Sequence, residues 1–182
     1  MSEWIYINDS DNKNRYILGE KAEKVLFCIG INPSYAEPPT IGKLDPTMRK
    51  VKAVSAANRY DGWIMLNVYP KRDTKFNDLP HVMDTAAHEE NLNKIKDAVS
   101  TCEEIAVWVA FGNHIFDRAY FKKCMSDIYA VLREKKPKWL AVGVNKTGAP
   151  KHPLYQPNNS SLEEFDMAAF MHNRKRTPHL MR

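Results

Sequence analysis

A few polar side chains lie at or near the ends of apolar runs in this sequence, where they could take part in chemistry. Asn32 directly follows the run at residues 25–31, and Asn67 lies inside the run at 63–69. His152 precedes a proline in a stretch rich in Pro, Gly and Asn. A carboxamide can orient water or read a planar ligand, and an imidazole can donate to a developing negative charge. Each also has an ordinary interpretation, because Asn-Pro-Ser is a common turn sequence and a single loop histidine usually faces solvent.

Asn67 and the pair Asp45 and Arg49 each have two interpretations from sequence. A carboxamide inside an apolar strand costs on the order of 1–3 kcal/mol when it is left unpaired. Asn67 therefore either braces a neighbouring loop or reads a ligand. Asp45 and Arg49 are one helical turn apart, which fits a helix cap with an ion pair of about a few tenths of a kcal/mol, or a ligand contact.

Several familiar chemistries have no matching motif. The sequence contains no GxxxxGK[ST], GxGxxG, GxSxG or HExxH pattern, so phosphate loops, dinucleotide folds, nucleophile elbows and zinc helices are not indicated. Three cysteines at positions 28, 102 and 124 are widely spaced in apolar surroundings. We interpret them as reduced core residues without a catalytic role, and we expect neither a metal nor a cofactor.

The elements that must position these residues follow from the apolar pattern. Buried strands are predicted near residues 24–31, 63–69, 105–111 and 138–143, with helical periodicity between them. Continuously apolar strands alternating with helices predict an α/β fold, a three-layer sandwich with a mainly parallel central sheet. In such sheets the ligand lies beyond the carboxyl ends of the strands. That rule places Asn32, Asn67 and His152 near one another.

The remaining elements complete a single domain over residues 1–182. Residues 1–20 predict a hairpin that adds to an edge of the sheet, and residues 24–156 form the α/β core. Asp45 followed by proline predicts the start of the first helix, and Asp84 or Thr85 that of the second. A capping-box sequence predicts a final helix over 161–172, before a basic tail at 173–182.

Composition indicates a packed globular protein. Of 182 residues, 43% are hydrophobic and 27% are charged, and only 7 are glycine, as in a chain that buries one core. No apolar run reaches the roughly 20 residues that span a bilayer, and the first residues lack a signal-peptide pattern. We therefore expect a cytoplasmic protein without a membrane partner. The formal charge of +5 permits a nucleotide or nucleic-acid partner without requiring one.

Five segments together carry a resemblance to a known family. They are residues 28–34 (CIGINPS), 45–49 (DPTMR), 66–73 with its Leu-Asn and Arg-Asp pairs, 108–112 (WVAFG) and 147–155 (TGAPKHPLY). This series resembles a bacterial and phage family known only as domain-of-unknown-function family 1643. The resemblance covers roughly residues 24–156 and implies no activity.

A more distant resemblance does imply an activity. The segment around Gly30 and Asn32 is similar to the first motif of mismatch-type uracil-DNA glycosylases, and Leu-Asn at 66–67, Phe-Gly at 111–112 and His-Pro at 152–153 follow in the same chain order. The resemblance implies a uracil-DNA glycosylase-like fold in which Asn32 positions the attacking water. It further implies that Asn67 reads a base edge and that His152 stabilises negative charge on the departing base.

Other residues near these motifs complete the candidate site. The sequence departs from the glycosylase pattern after His152, because Leu154 stands where a serine would meet a phosphate. Leu154 or Tyr155 could act as a wedge that holds a base out of a duplex, and Tyr35 could stack on a base. The candidate substrate-binding residues are Ser34, Tyr35, Asp45, Arg49, Asn67, Arg72, Asn113, Leu154 and Tyr155.

Two functions remain open on the sequence. One is an N-glycosidic-bond hydrolase acting on a nucleotide or nucleic acid, and the other is a non-catalytic module of the same fold that binds one. Cleavage needs an oriented water and a donor aimed at the leaving base, without a metal. Asn32, Asn67 and His152 must then converge on one pocket of base size.

Overall fold

The computed structural model describes residues 3–73 and 75–173, which form an α/β fold around one seven-stranded mixed sheet. The strand order is β1-β2-β4-β3-β5-β6-β7. The strands are β1 Glu3–Asn8, β2 Arg15–Lys21, β3 Val25–Gly30, β4 Gly62–Asn67, β5 Ala106–Val109, β6 Lys138–Ala141 and β7 Glu163–Glu164. The helices are α1 Pro46–Ala57, α2 Thr85–Val99, α3 Ala119–Leu132 and α4 Met167–His172.

Alternate residues of the central strands pack on opposite faces of the sheet. Cys28 of β3 belongs to the cluster that contains Val51 of α1, whereas Phe27 belongs to the cluster that contains Ile95 of α2 and Phe121 of α3. Helices therefore cover both faces, and the strands are buried on both sides, as their continuous apolar runs predict.

Strands β4, β3, β5 and β6 run parallel to one another. The chain passes from β3 to β4 on one side and then crosses back to β5 on the other side of β3. This reversal opens a crevice between the carboxyl ends of β3 and β5, which is the usual ligand position in open parallel sheets. All four predicted buried strands are present, at slightly shorter bounds.

The predicted N-terminal hairpin is confirmed, and it extends the sheet beyond β4. β2 pairs antiparallel with β4, and Gly19 permits the close approach, because a Cβ there would lie 2.2 Å from the Trp63 carbonyl oxygen. At the start of β2, the backbone N–H of Arg15 donates to the carbonyl of Pro70 at 3.0 Å. The hairpin thereby carries Arg15 to the carboxyl end of β4.

Local capping signals explain where α1 and α2 begin. The Asp45 carboxylate accepts a hydrogen bond from the Met48 N–H at 2.8 Å, and proline occupies the first turn of α1. Asp84 accepts from the Ala87 N–H at 3.1 Å and caps α2. Both starts agree with the sequence prediction.

The predicted final helix over 161–172 is wrong in its first half. Glu163 and Glu164 form β7, which pairs antiparallel with Ala141 and Leu140 of β6. α4 begins only at Met167, where Asp166 accepts from the Ala169 N–H at 2.8 Å. The unpaired edge of β6 offers backbone hydrogen bonds that outweigh the local capping box. Most of the predicted basic tail, residues 174–182, lies outside the described residues.

Among the described residues, no helix has both the length and the apolar character needed to cross a membrane.

Candidate functional site

A pocket of about 270 Å³ opens at the carboxyl ends of β3 and β5, on the face that carries α1. Its volume lies just below the roughly 300–1,000 Å³ that is usual for ligand pockets. Six of the predicted site residues line it: Asn32, Ser34, Tyr35, Asp45, His152 and Leu154. The prediction based on the carboxyl ends of the strands therefore identified residues that are far apart in the chain and lie in one pocket.

Asn32 is held by the loop that follows β4. Its Nδ2 donates to the carbonyls of Pro33, Lys71 and Asp73 at 3.1, 3.3 and 3.2 Å. Because all three partners are acceptors, the orientation of the carboxamide is determined. Oδ1 then points away from the carbonyls, and it has no partner among the residues that the structure describes. A fixed carbonyl acceptor on a pocket wall can orient a water molecule.

His152 offers the complementary group, a hydrogen-bond donor. Its Nδ1 accepts from the Leu154 N–H at 3.2 Å, so the neutral ring carries its proton on Nε2. Burial lowers the pKa of His152, and His114 lowers this pKa further, while Asp45 opposes the shift. The pocket therefore contains a neutral imidazole whose N–H can donate to a ligand.

We expect the His152 imidazole to titrate with a pKa below its ordinary value of about 6.5 and to remain the Nε2–H tautomer above that pH. Long-range ¹H–¹⁵N spectra of the imidazole rings measure both properties. The folded protein binds this proton more weakly than the unfolded chain does. The contribution of neutral His152 to the free energy of unfolding is therefore full above the ordinary pKa, and it is lost as the pH falls through the folded-state pKa. A midpoint above 6.5 or an Nδ1–H tautomer would contradict the assignment.

Gly112 gives His152 its position. Its φ of +63° lies in the left-handed region, and a Cβ at this residue would lie 3.3 Å from the Cβ of His152. The strand-to-helix turn after β5 therefore needs glycine both for its backbone and for the close approach of the 151–153 segment.

Gly112→Ala should lower the free energy of unfolding by about 1–2 kcal/mol, the usual cost of a left-handed alanine. The added methyl should also push His152 out of place and reduce any activity. Denaturant unfolding measures the first effect, and the His152 imidazole signals report the second. Unchanged values of both would show that the turn tolerates a side chain.

Asp45 and Arg49 separate in the structure. Asp45 is buried, caps α1 and lines the pocket. Arg49 is exposed and donates to the carbonyl of Leu44 at 2.7 Å. The predicted cap is confirmed, but the ion pair with Asp45 is absent from the described contacts, and Arg49 is not among the pocket-lining residues. Its place on the helix turns it toward its own N-terminal loop.

Asn67 was expected to converge with Asn32 and His152, but it does not line the pocket. It is fully buried, and neither Oδ1 nor Nδ2 has a partner among the described residues. Its backbone carbonyl accepts a hydrogen bond from Asn91 Nδ2 at 2.9 Å. A Cβ on Gly30 would lie 3.4 Å from Asn67 Oδ1, and Gly30 lines the pocket. Because Gly30 has no side chain, the Asn67 carboxamide lies close to the part of the pocket wall that Gly30 forms.

The remaining predicted residues lie at the rim or outside the pocket. Tyr35 is 48% exposed on the pocket wall, and Tyr155 is 83% exposed beside Leu154. Asn113 Oδ1 accepts from Asn145 Nδ2 at 3.1 Å and from Thr147 Oγ1 at 2.6 Å. Asn113 therefore braces the 145–147 loop and does not line the pocket.

The sequence-based site omitted four polar residues that line the pocket, namely Arg15, Thr47, Asp73 and His114. Arg15 is 1% exposed and lines the pocket, yet it reads in the sequence as the first residue of a hairpin strand. The available signal was an arginine directly before an apolar segment. Arg72 was predicted, and it lies just outside the lining, where it donates from Nη1 to the Ser34 carbonyl at 2.6 Å and from Nη2 to the Tyr6 hydroxyl.

A larger cavity of about 770 Å³ lies between α3 and the segment that contains β7 and α4. Phe116, Phe165 and Phe170 contribute to its walls, and none of the predicted catalytic residues does. The smaller pocket is the candidate site, because the polar side chains of Asn32 and His152 both line it.

No cysteine is among the described residues that line the pocket. Burial raises the pKa of the Cys28 thiol far above its ordinary range and raises that of Cys124 to about 12, so both thiols are held in the unreactive form. Within residues 3–73 and 75–173, no three His, Cys, Asp or Glu side chains cluster as metal ligands would.

The fold is α/β, with a candidate ligand site at the carboxyl ends of the parallel strands. The family model described as "Protein of unknown function (DUF1643)" matches residues 15–154, and the chain belongs to this family. The match begins and ends at pocket residues, Arg15 and Leu154. Curated proteins provide no match to the sequence.

Proposed function

We propose that this pocket binds the base and sugar of a nucleotide or nucleic acid and hydrolyses the N-glycosidic bond between them. One observation carries the proposal: Asn32, whose carboxamide is oriented by three carbonyls, and His152, whose Nδ1 accepts a backbone N–H, line the same pocket of about 270 Å³. The distant resemblance to uracil-DNA glycosylases supports the same two roles.

The reaction needs little acid or base strength. The C1′–N bond breaks with its electron pair passing to the base, while the sugar acquires oxocarbenium character. A water oriented by Asn32 adds to C1′ and releases one proton, and His152 Nε2–H stabilises the negative charge on the departing base. The base takes up a proton from solvent. The products are a free base and a sugar that carries a hydroxyl at C1′.

Asp45 adds a fixed negative charge to this pocket. One of its oxygens caps α1, and the residue lines the pocket. A carboxylate near C1′ would stabilise the positive charge of the sugar and could accept the proton that the water releases. The family's Asp-Pro-Thr element thus acquires a role in the same reaction.

Asn67 is the candidate for base recognition. Its buried carboxamide has no partner among the described residues, and its Oδ1 lies close to the pocket residue Gly30. A base edge that reached this depth could satisfy both of its polar groups, which otherwise cost free energy. Tyr35 and Tyr155 would then contact the outer part of the ligand by stacking.

A non-catalytic binding module is the second candidate. The observation that favours it is that Asn32 Nδ2 already bonds three loop carbonyls, so this residue has a sufficient structural role. In that case, the pocket would bind the same ligands and release no base.

The test is a panel of nucleosides, nucleotides and oligonucleotides containing uracil, mismatched or modified bases. Mass spectrometry detects released base, and calorimetry measures binding in parallel. Base release that is lost in Asn32→Ala and retained in Asn113→Ala supports the hydrolase. Binding without release supports the module, and neither result in any member of the panel would contradict both.

A further inference from the structure

Arg15 carries a buried positive charge that the protein itself leaves largely unsatisfied. The side chain is 1% exposed. Of its five donor N–H groups, one is used, because Nη1 donates to the Ala36 carbonyl at 2.9 Å. Nε is buried without a partner, and the guanidinium forms no ion pair with any carboxylate in the described part of the chain. A buried charge without a partner is costly.

A second guanidinium increases this cost. Burial, together with the nearby charge of Arg72, lowers the pKa of Arg15 to about 10. The Nε of Arg72 is also buried without a partner. Asp45 is the carboxylate that acts on Arg15, and it is already engaged as the cap of α1. Asp73 also lines the pocket, but its Oδ1 accepts from the Lys75 N–H at 2.9 Å.

We propose that Arg15, supported by Arg72, forms an anion subsite in the pocket that binds the phosphate of a nucleotide ligand. The subsite deepens the proposed function, on which its assignment to a nucleotide rests, and it makes the substrate a phosphate ester and not a free nucleoside. Arg15 contacts the phosphate directly. Arg72 contributes positive charge and holds the loop at Ser34.

A phosphate fits this arrangement better than a neutral base edge does. A single arginine can read a base by hydrogen bonds alone. Two neighbouring guanidinium groups repel each other, and a bound anion relieves that repulsion. The oxygens of a phosphate can also accept hydrogen bonds from the unused N–H groups. The resemblance to glycosylases did not locate such a contact, because the serine expected after His152 and Pro153 is replaced by Leu154.

The first experiment uses inorganic phosphate as the probe. Thermal unfolding and calorimetry are measured in sodium phosphate and in sodium chloride of equal ionic strength. We expect phosphate to raise Tm of the unmodified protein, and Arg15→Met to weaken phosphate binding at least tenfold. The control is Arg133→Met, which removes the same charge from an exposed position after α3 and should leave phosphate binding unchanged.

The free protein gives an independent readout. Because Arg15 is costly without its anion, Arg15→Met should leave Tm in chloride unchanged or higher. An arginine with a purely structural role would lower it. If Arg15→Met does not fold, Arg15→Lys keeps the charge, loses the fork of donors and should still weaken phosphate binding several-fold.

The second experiment compares deoxyuridine with its 3′- and 5′-monophosphates and with a short single-stranded oligonucleotide. At least one phosphate ester should bind tenfold or more tightly than the nucleoside, and Arg15→Met should abolish this difference. A preference for the monophosphate indicates a free nucleotide, and a preference for the oligonucleotide indicates a strand.

Two results would overturn the subsite: no phosphate effect beyond that of chloride, or equal phosphate binding by the unmodified protein and Arg15→Met. Failure of the proposed function is distinguishable. Phosphate binding that depends on Arg15, without base release from any substrate, would retain the anion subsite and reject the hydrolase.

Discussion

Asn32→Ala should lower the rate of base release by roughly 10²- to 10³-fold, the size typical of losing one preorganised polar group at a reacting centre. The variant removes the carbonyl that would orient the attacking water, while the pocket's other groups remain. Single-turnover measurement of released base at saturating substrate reports this step directly.

The matched control is Asn113→Ala, an asparagine beyond the end of β5 that braces the 145–147 loop and does not line the pocket. It should retain nearly full activity. Because Asn32 Nδ2 also holds the loop after β4, Tm and phosphate binding must be measured beside activity. If Asn32→Ala folds, binds phosphate and releases base at the rate of the unmodified protein, Asn32 has no part in the mechanism.

His152→Ala should have a loss of similar size, about 10²- to 10³-fold, because it removes the N–H donor aimed at the departing base. The pH profile makes the role specific. With a lowered pKa, His152 stays neutral as the pH falls through about 6.5. The rate of base release should therefore stay constant as the pH falls past about 6.5 and decline only at a lower pH.

His152→Gln and His81→Gln complete this test. Glutamine restores an N–H donor at position 152 and should recover part of the rate, whereas His81 is exposed, does not line the pocket and should be replaceable without effect. A full rate in His152→Ala, with a collapse in Asp45→Ala, would assign the chemistry to the family's Asp-Pro-Thr element instead.

The parallel core could be predicted because its signals are local and strong. The apolar runs of β3 to β6 are buried on both faces, and a strand of that kind has no polar side to misassign. The starts of α1 and α2 were equally readable, since Asp45 and Asp84 cap by hydrogen bonds within three residues.

Elements determined by tertiary pairing could not be predicted in the same way. β7 consists of two glutamates that pair with the edge of β6, and nothing in their own sequence favours a strand. Arg15 reaches the pocket only because β2 pairs with β4. The sequence of the hairpin does not show which strand β2 will pair with, so Arg15 could not be assigned to the pocket from the sequence.

The candidate site was predictable as far as strand ends determine it. Asn32 and His152 reached the pocket by the carboxyl-end rule, because backbone topology alone places them there. Side-chain direction decided the others. Arg49 turns back along its helix to Leu44, and Asn113 turns to a neighbouring loop, and neither direction follows from chain position.

The pocket draws its walls from both ends of the family match, with Arg15 from the hairpin and His152 from the segment after β6. During synthesis, a nascent chain therefore has no complete site until the ribosome has added His152 and the parallel sheet has closed around β3. A ligand cannot guide the early steps of folding under these conditions. The binding free energy of a ligand in this pocket would instead stabilise only those molecules that have already assembled the whole sheet.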